Sequence, residues 1–232
     1  MTRHELKEQL EHDQFTDTVS QVVNYASTHR QQVTRWAIVV VAIAVIIGGA
    51  FWYMRYTSSQ REQDLNAAFA VADRPVGPAA PAVATFPTEA AKNQAVLQAF
   101  SAVASKDGGS SEGLTAEYYV GTLKAKTGDT KGAETELSKV ADSSVQIAPL
   151  AKIALAELYA GDNKMSQAQS LLRSIINKPT DLVSKGQAEI LLARLEQNTN
   201  PKESQQLLHE AQQSKDPVID RVAQQISTQL GK

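Results

Sequence analysis

Four histidines, scattered carboxylates and no cysteine are the whole stock from which this 232-residue chain could build a reactive centre. Their spacing builds none. His4 and His12 lie eight residues apart with no third ligand in a recognisable metal pattern. His29 stands alone, and His209 only adjoins Glu210, its neighbour in sequence, which a helix points elsewhere. Asp107-Gly108-Gly109-Ser110 is glycine-rich, but it lacks the lysine that a phosphate cradle needs, so it reads as a turn. No GxSxG, HExxH, GxGxxG or Walker sequence occurs. Without cysteine there is no disulfide, thiolate metal site or cysteine nucleophile. These residues predict a protein that is not an enzyme, with no cofactor, no metal and no small-molecule substrate.

Charge narrows the partners. Lys and Arg number 23 and Asp and Glu 25, a formal net charge of −2. The cations are scattered rather than gathered in the basic stripe that nucleic-acid binding leaves, so no nucleic acid is expected.

What remains must act through surfaces, so the elements that present them come next. The run WAIVVVAIAVIIGGAFWYM, from Trp36 to Met54, has no charge and is bracketed by Arg35 and Arg55. At about 1.5 Å of rise per residue it spans roughly 28 Å as a helix, close to the hydrocarbon thickness of a bilayer. Trp36 stands at one end and Phe51, Trp52 and Tyr53 at the other, where amphipathic rings favour the headgroup level. A polar tail of 35 residues precedes it, too long for a cleaved export signal. The run is expected to be a permanent single-pass membrane anchor. Its flanking charges tie: Arg30 and Arg35 before, Arg55 and Arg61 after. Arg3 and Lys7 tip the tail slightly towards the cytoplasm. Inside the run, Ala44 and Gly48 make a small-xxx-small pair of a kind that recurs in such spans by chance.

The tail opens with Thr2-Arg3-His4-Glu5, a capping-box pattern. Phe15, Val19, Val22, Val23 and Ala26 then share a helical face. That amphipathic helix suits docking to a cytoplasmic partner or to the membrane surface, and equally a solvated leader. Beyond the span, Leu65, Ala68, Phe69 and Ala72 share a face, so the helix is expected to continue outward. Residues 73–88, DRPVGPAAPAVATFPT, carry four prolines and read as a semi-extended linker or a loop packed on the domain.

From Glu89 on, short helices alternate with turns (KDGGSSEG, TGD, DSS, GDN, NKPTD, QNTNP, SKDP), and no run alternates with the period of a strand. Three windows align: 115–141, 150–176 and 186–212, spaced by 35 and then 36 residues. Ala133, Ala168 and Ser204 match, as do Leu137, Leu172 and Leu208, and Val140, Ile175 and Ala211. In the first helix Gly121, Ala156 and Leu192 match, with Lys124, Tyr159 and Leu195 one turn on. Small residues let two antiparallel helices cross closely, and the large ones fill the space between pairs. The pattern resembles the tetratricopeptide repeat, whose period is about 34 residues. Glu117, Lys152 and Ala188 stand where that family has its tryptophan, and Pro179 and Pro217 fall one residue off its closing proline. Flanking helices at 88–105 and from Pro217 complete the stack, the last with Gln224, Gln225 and Gln229 on an outer polar face.

The resemblance implies a concave groove lined by the first helix of each hairpin. Carried across residue by residue, it places there Tyr118, Thr122 and Lys126, then Ile153 and Glu157, then Glu189, Ala193, Glu196 and Gln197. The set is mixed and somewhat acidic, without the cationic clamp that takes a peptide's terminal carboxylate. As residues alone, these are equally an ordinary solvated face.

The expected organisation is therefore all-α. A tail occupies 1–35, a transmembrane helix 36–55, a juxtamembrane helix and Pro/Ala-rich linker 56–88, and a tetratricopeptide-repeat-like solenoid 89–232. With the tail motif FTDTVSQVVNYASTHRQQ leading into the span, this order resembles the YfgM-like family of ancillary subunits of the SecYEG translocon. That resemblance implies a single-pass protein of the bacterial inner membrane, with a cytoplasmic N-terminus and a periplasmic repeat domain. It implies protein partners: the translocon, periplasmic chaperones or exported chains. Two rival readings keep the interaction role but change its object: a scaffold for an envelope assembly or division complex, or a regulatory subunit acting through its cytoplasmic tail.

Overall fold

The computed structural model describes residues 30–78 and 84–230. The helical patterns expected between residues 2 and 26, and the three tail histidines His4, His12 and His29, lie outside the described residues, as does the middle of the Pro/Ala-rich segment. The described elements are nine helices: α1 Arg30–Ala72, α2 Glu89–Lys106, α3 Ser111–Lys126, α4 Thr130–Ala141, α5 Ala148–Gly161, α6 Met165–Asn177, α7 Lys185–Glu196, α8 Pro201–Gln212 and α9 Pro217–Leu230. The chain divides into two compact units, Met1–Ser59 and Gln60–Lys232.

No proline interrupts α1, and it runs unbroken for 43 residues. Its most apolar 18-residue window has a mean hydropathy of 2.4, and none of that window is buried. That separates it from a core helix: by length and composition it can cross a membrane, and among the described residues no other helix can.

From Gln60 onward α1 belongs to the second unit. There Leu65, Phe69 and Ala72 pack around the buried Ala68, together with Phe100 and Val103 of α2 and Val120 of α3. Phe69 meets Phe100 and Tyr119 edge-on, with centroids 5.2 and 5.0 Å apart, while Phe100 and Tyr119 stack at 4.9 Å. Such aromatic pairs add about 0.5–1.5 kcal/mol each beyond their burial. Asp64 pairs with Lys106, and Arg61 lies 3.7 Å from Asp107. The helix stops before Pro75, because the residue preceding a proline is pushed out of helical conformation. The following segment doubles back: Gly77 donates to the Phe86 carbonyl at 3.0 Å and Phe86 to the Pro75 carbonyl at 2.9 Å.

From α3 onward each helix packs on the one before it. Short polar residues start them: the side chains of Thr88, Ser110, Asp129 and Asn200 accept from the backbone three residues on, and Ser184 with Gln187 forms a full capping box. Leu137, Leu172 and Leu208 are buried at the centre of one continuous core that runs from α4 to α9. Full burial of each is worth about 1.5–3 kcal/mol. Helix α9 closes the stack with Ile219, Ala223 and Ile226 inward and Gln224, Gln225 and Gln229 outward.

The first two hairpins keep the expected register. Gly121 lies under Leu137, where an added Cβ would come within 2.8 Å of Cγ and 3.0 Å of Cδ2. Ala156 and Ala168 are both buried at the second crossing. The third hairpin departs by one residue. Its close crossing is Ala193 against Ser204, whose Oγ donates to the Ala193 carbonyl at 2.7 Å. The expected match at Leu192 is thereby corrected: Ala193 is the small residue, equivalent to Gly121 and Ala156, and Glu196 rather than Leu195 follows Tyr159. The slip coincides with a change in the turn and an earlier end to the helix before it, at Glu196. The first two turns each contain one residue at positive φ, Gly128 at 87° and Asn163 at 60°, and among the described residues the third turn has none. Crossing residues are twelve apart in the first two hairpins and eleven apart in the third.

Gly121→Ala is expected to cost about 1–3 kcal/mol, because Leu137 is fully buried and cannot step aside. Gly161→Ala, where nothing lies within 4 Å of the added methyl, is expected to be neutral or stabilising by up to about 1 kcal/mol. Thermal and denaturant unfolding of the two variants reads the difference directly.

Candidate functional site

Helices α3, α5 and α7, the first of each hairpin, carry the positions expected to line a groove. Tyr118 of α3 is half-buried against the core, its ring edge-on to Tyr119 at 5.2 Å. Burial pushes its hydroxyl pKa up, and neighbouring Tyr119 and Glu157 push in the same direction. Thr122 donates its hydroxyl to the Tyr119 carbonyl at 3.0 Å, so that group is satisfied within its own helix. Lys126 is exposed. On α5, Ile153 is half-buried in contact with the core and Glu157 is exposed.

The third helix brings the one-residue slip to the surface. Of the four positions expected from it, Gln197 is exposed, but Glu189, Ala193 and Glu196 are only 2, 0 and 4% exposed. They face the interior because α7 is rotated by one residue relative to a constant repeat. Ile190 and Arg194 occupy the places that Ile153 and Glu157 hold on α5. Sequence reasoning missed them by holding the spacing constant. Aligning the small residues Gly121, Ala156 and Ala193 instead gives the observed register.

Two apolar hollows open beside these residues. One, about 250 Å³, is lined by Leu150, Leu182, Ile190 and Val222 among others. The second, about 190 Å³, reaches down to Ala156 and Leu172 beside Leu195. Ile153, Leu191 and Arg194 line both. A larger hollow of about 590 Å³ lies between α6 and α8, but its rim charges already answer one another, with Arg173 2.6 Å from Glu203. The first two hollows are the better candidates for a protein guest, since apolar lining with few polar groups is what a docking site offers.

The buried carboxylates of α7 have partners on α6, in the following turn and on α7 itself. Glu196 lies 3.6 Å from Arg173 and accepts from Thr199 at 2.9 Å. Glu189 lies 3.0 Å from Lys185, which also approaches Glu210 at 3.5 Å. Burial raises the Glu189 pKa above the ordinary carboxylate range, against the pull of Lys185, and the nearby Glu210 adds to the rise. Glu210 is held low, first by the hydrogen bond from Gln206. Between the first two hairpins Tyr159 donates to Glu134 at 3.1 Å and Lys164 to the same carboxylate at 2.8 Å. Those hydrogen bonds, that from Lys164 first, hold Glu134 below its usual range despite some burial. Lys164 also sits 5.1 Å from the Tyr159 ring centroid. These groups are spent on joining helices, and among the described residues no cluster of three or more His, Asp or Glu is placed to hold a metal.

The family described as Tetratricopeptide repeat-like domain matches residues 31–181, about two thirds of the chain, including the apolar part of α1 and the first two hairpins. No curated protein matches the chain. No solved structure matches it.

Glu189→Gln is expected to stabilise the fold near neutral pH. A carboxyl whose folded pKa is raised keeps its full contribution below the unfolded value and loses it as pH rises through the folded one. The gain of the variant over the parent in melting temperature should therefore be largest near pH 7 and vanish towards about pH 4, where both side chains are neutral. A gain independent of pH would contradict the assignment.

Proposed function

The chain belongs to the tetratricopeptide repeat-like family, and on that premise we propose that it is a membrane-anchored protein-interaction module. The observation that carries the reading is an apolar floor, where Ile153 and Leu191 line two adjoining hollows. Helical-repeat domains bind through such extended inner surfaces. The anchor in this reading is residues 36–54, where Trp36, Phe51, Trp52 and Tyr53 are all exposed, as rings at a headgroup boundary would be. Tethering raises the local concentration of the groove near membrane partners, so weak contacts suffice.

The physiological role proposed is that of an ancillary translocon subunit, in the manner of the YfgM-like family. Its groove meets exported chains or the chaperones that receive them, its N-terminus is cytoplasmic and its repeat domain periplasmic. Support comes from the order of tail, apolar helix and repeat array, together with the family match, which begins ahead of the apolar run. The parsing into a tail to residue 35, a span to 55, a connecting segment to 88 and a repeat domain beyond belongs to the same proposal, as does the placing of Tyr118, Thr122, Lys126, Ile153, Glu157 and Gln197 along the groove.

Two measurements test it. A photo-crosslinking residue at Tyr118 or Glu157 is expected to capture translocon or chaperone components in membranes; capture of one unrelated enzyme complex alone would overturn the role. A reporter active only in the periplasm, fused after Lys232, is expected to be active, and an inactive fusion would reverse the topology.

A further inference from the structure

The groove floor is apolar, yet an unpaired cation stands in its middle. Arg194 lines both hollows. It is exposed, and among the described residues it has no ion-pair or hydrogen-bond partner. Several other cations of the array are engaged: Lys164 with Glu134, Arg173 with Glu203 and Glu196, Lys185 with Glu189 and Glu210. Arg194 is not engaged even by Glu157, which borders the second hollow beside it and is likewise exposed without an ion-pair or hydrogen-bond partner. An arginine stem packs along apolar surface while its guanidinium stays free. That planar head takes a carboxylate with two parallel hydrogen bonds, and more strongly where apolar walls exclude water.

Resting on the docking reading of this groove, we propose that it selects a protein segment carrying one acidic residue between two apolar anchor side chains. The anchors fill the hollow lined by Leu150, Leu182 and Val222 and the hollow floored by Leu172, and the carboxylate between them is taken by Arg194. Glu157, which borders only the second hollow, repels a further acid beyond that anchor. The groove therefore discriminates against polyacidic segments as well as against basic ones. This chemistry differs from capture of a chain's terminal carboxylate: the recognised charge is internal and is bracketed by apolar side chains.

The test uses the full chain in nanodiscs and fluorescence anisotropy. The probes are synthetic peptides with two leucines, three to seven residues apart, bracketing one aspartate, and matched peptides with lysine or alanine there. At a productive spacing the aspartate peptide is expected to bind about tenfold more tightly than the lysine peptide. Arg194→Glu is expected to reverse that preference and Arg194→Ala to level it. Because Arg194 is exposed and unpaired, both variants should keep the parent's circular dichroism and melting temperature. If the peptides bind, Ile153→Arg abolishes binding, and Arg194→Glu leaves the preference unchanged, the acid-selective proposal falls while the docking reading stands. If no peptide binds at any spacing, or if Ile153→Arg has no effect on binding, both fall.

Discussion

The rest of the domain depends on one constraint: the two helices of each hairpin must cross so closely that one partner can present almost no side chain. Gly121 meets Leu137 with no room for a methyl group, and Ala193 meets Ser204 closely enough for a 2.7 Å hydrogen bond to its carbonyl. Once the crossing is fixed, the rotation of each helix is fixed with it. A one-residue step on a helix turns a side chain through about 100°. The crossing thus decides which residues fill the core, which clasp the next hairpin and which face the groove.

The third hairpin shows how strong that constraint is. The chain between its crossing residues is one residue shorter, and the helix before the turn rotates rather than abandon a small crossing residue. The consequence is electrostatic: Glu189 and Glu196, which a constant spacing puts on the surface, are carried into the interior. Burying a carboxylate costs several kcal/mol unless it is paired or protonated. Both remedies are present, Arg173 and Thr199 for Glu196, and Lys185 with a raised pKa for Glu189. The same rotation brings Arg194 beside Ile153 at the two apolar hollows.

At the other end, α1 is one uninterrupted helix whose two parts present different surfaces. Its first part exposes apolar and aromatic side chains all round, while beyond Gln60 only one stripe is apolar. That stripe is covered by α2 and α3 through interlocking rings and two charge pairs. The first hairpin thereby gains a covering layer on its outer side, the role that a capping helix serves in a repeat array.

By itself the sequence determined the all-α class, the hairpin period, the continuation of the helix beyond its apolar run, and the Leu65, Ala68, Phe69 and Ala72 stripe. Each is written in local periodicity and composition, which act over one or two helical turns. The crossing residues Gly121, Ala133, Ala156 and Ala168 were legible for the same reason, because their hairpins share a turn of one length. Only the tertiary structure decided the third helix's register, the burial of Glu189 and Glu196, and the meeting of Arg194 with two apolar hollows. Rotation about a helix axis is set by the neighbour it crosses and by the length of the turn between them. That information belongs to two helices at once and to neither alone.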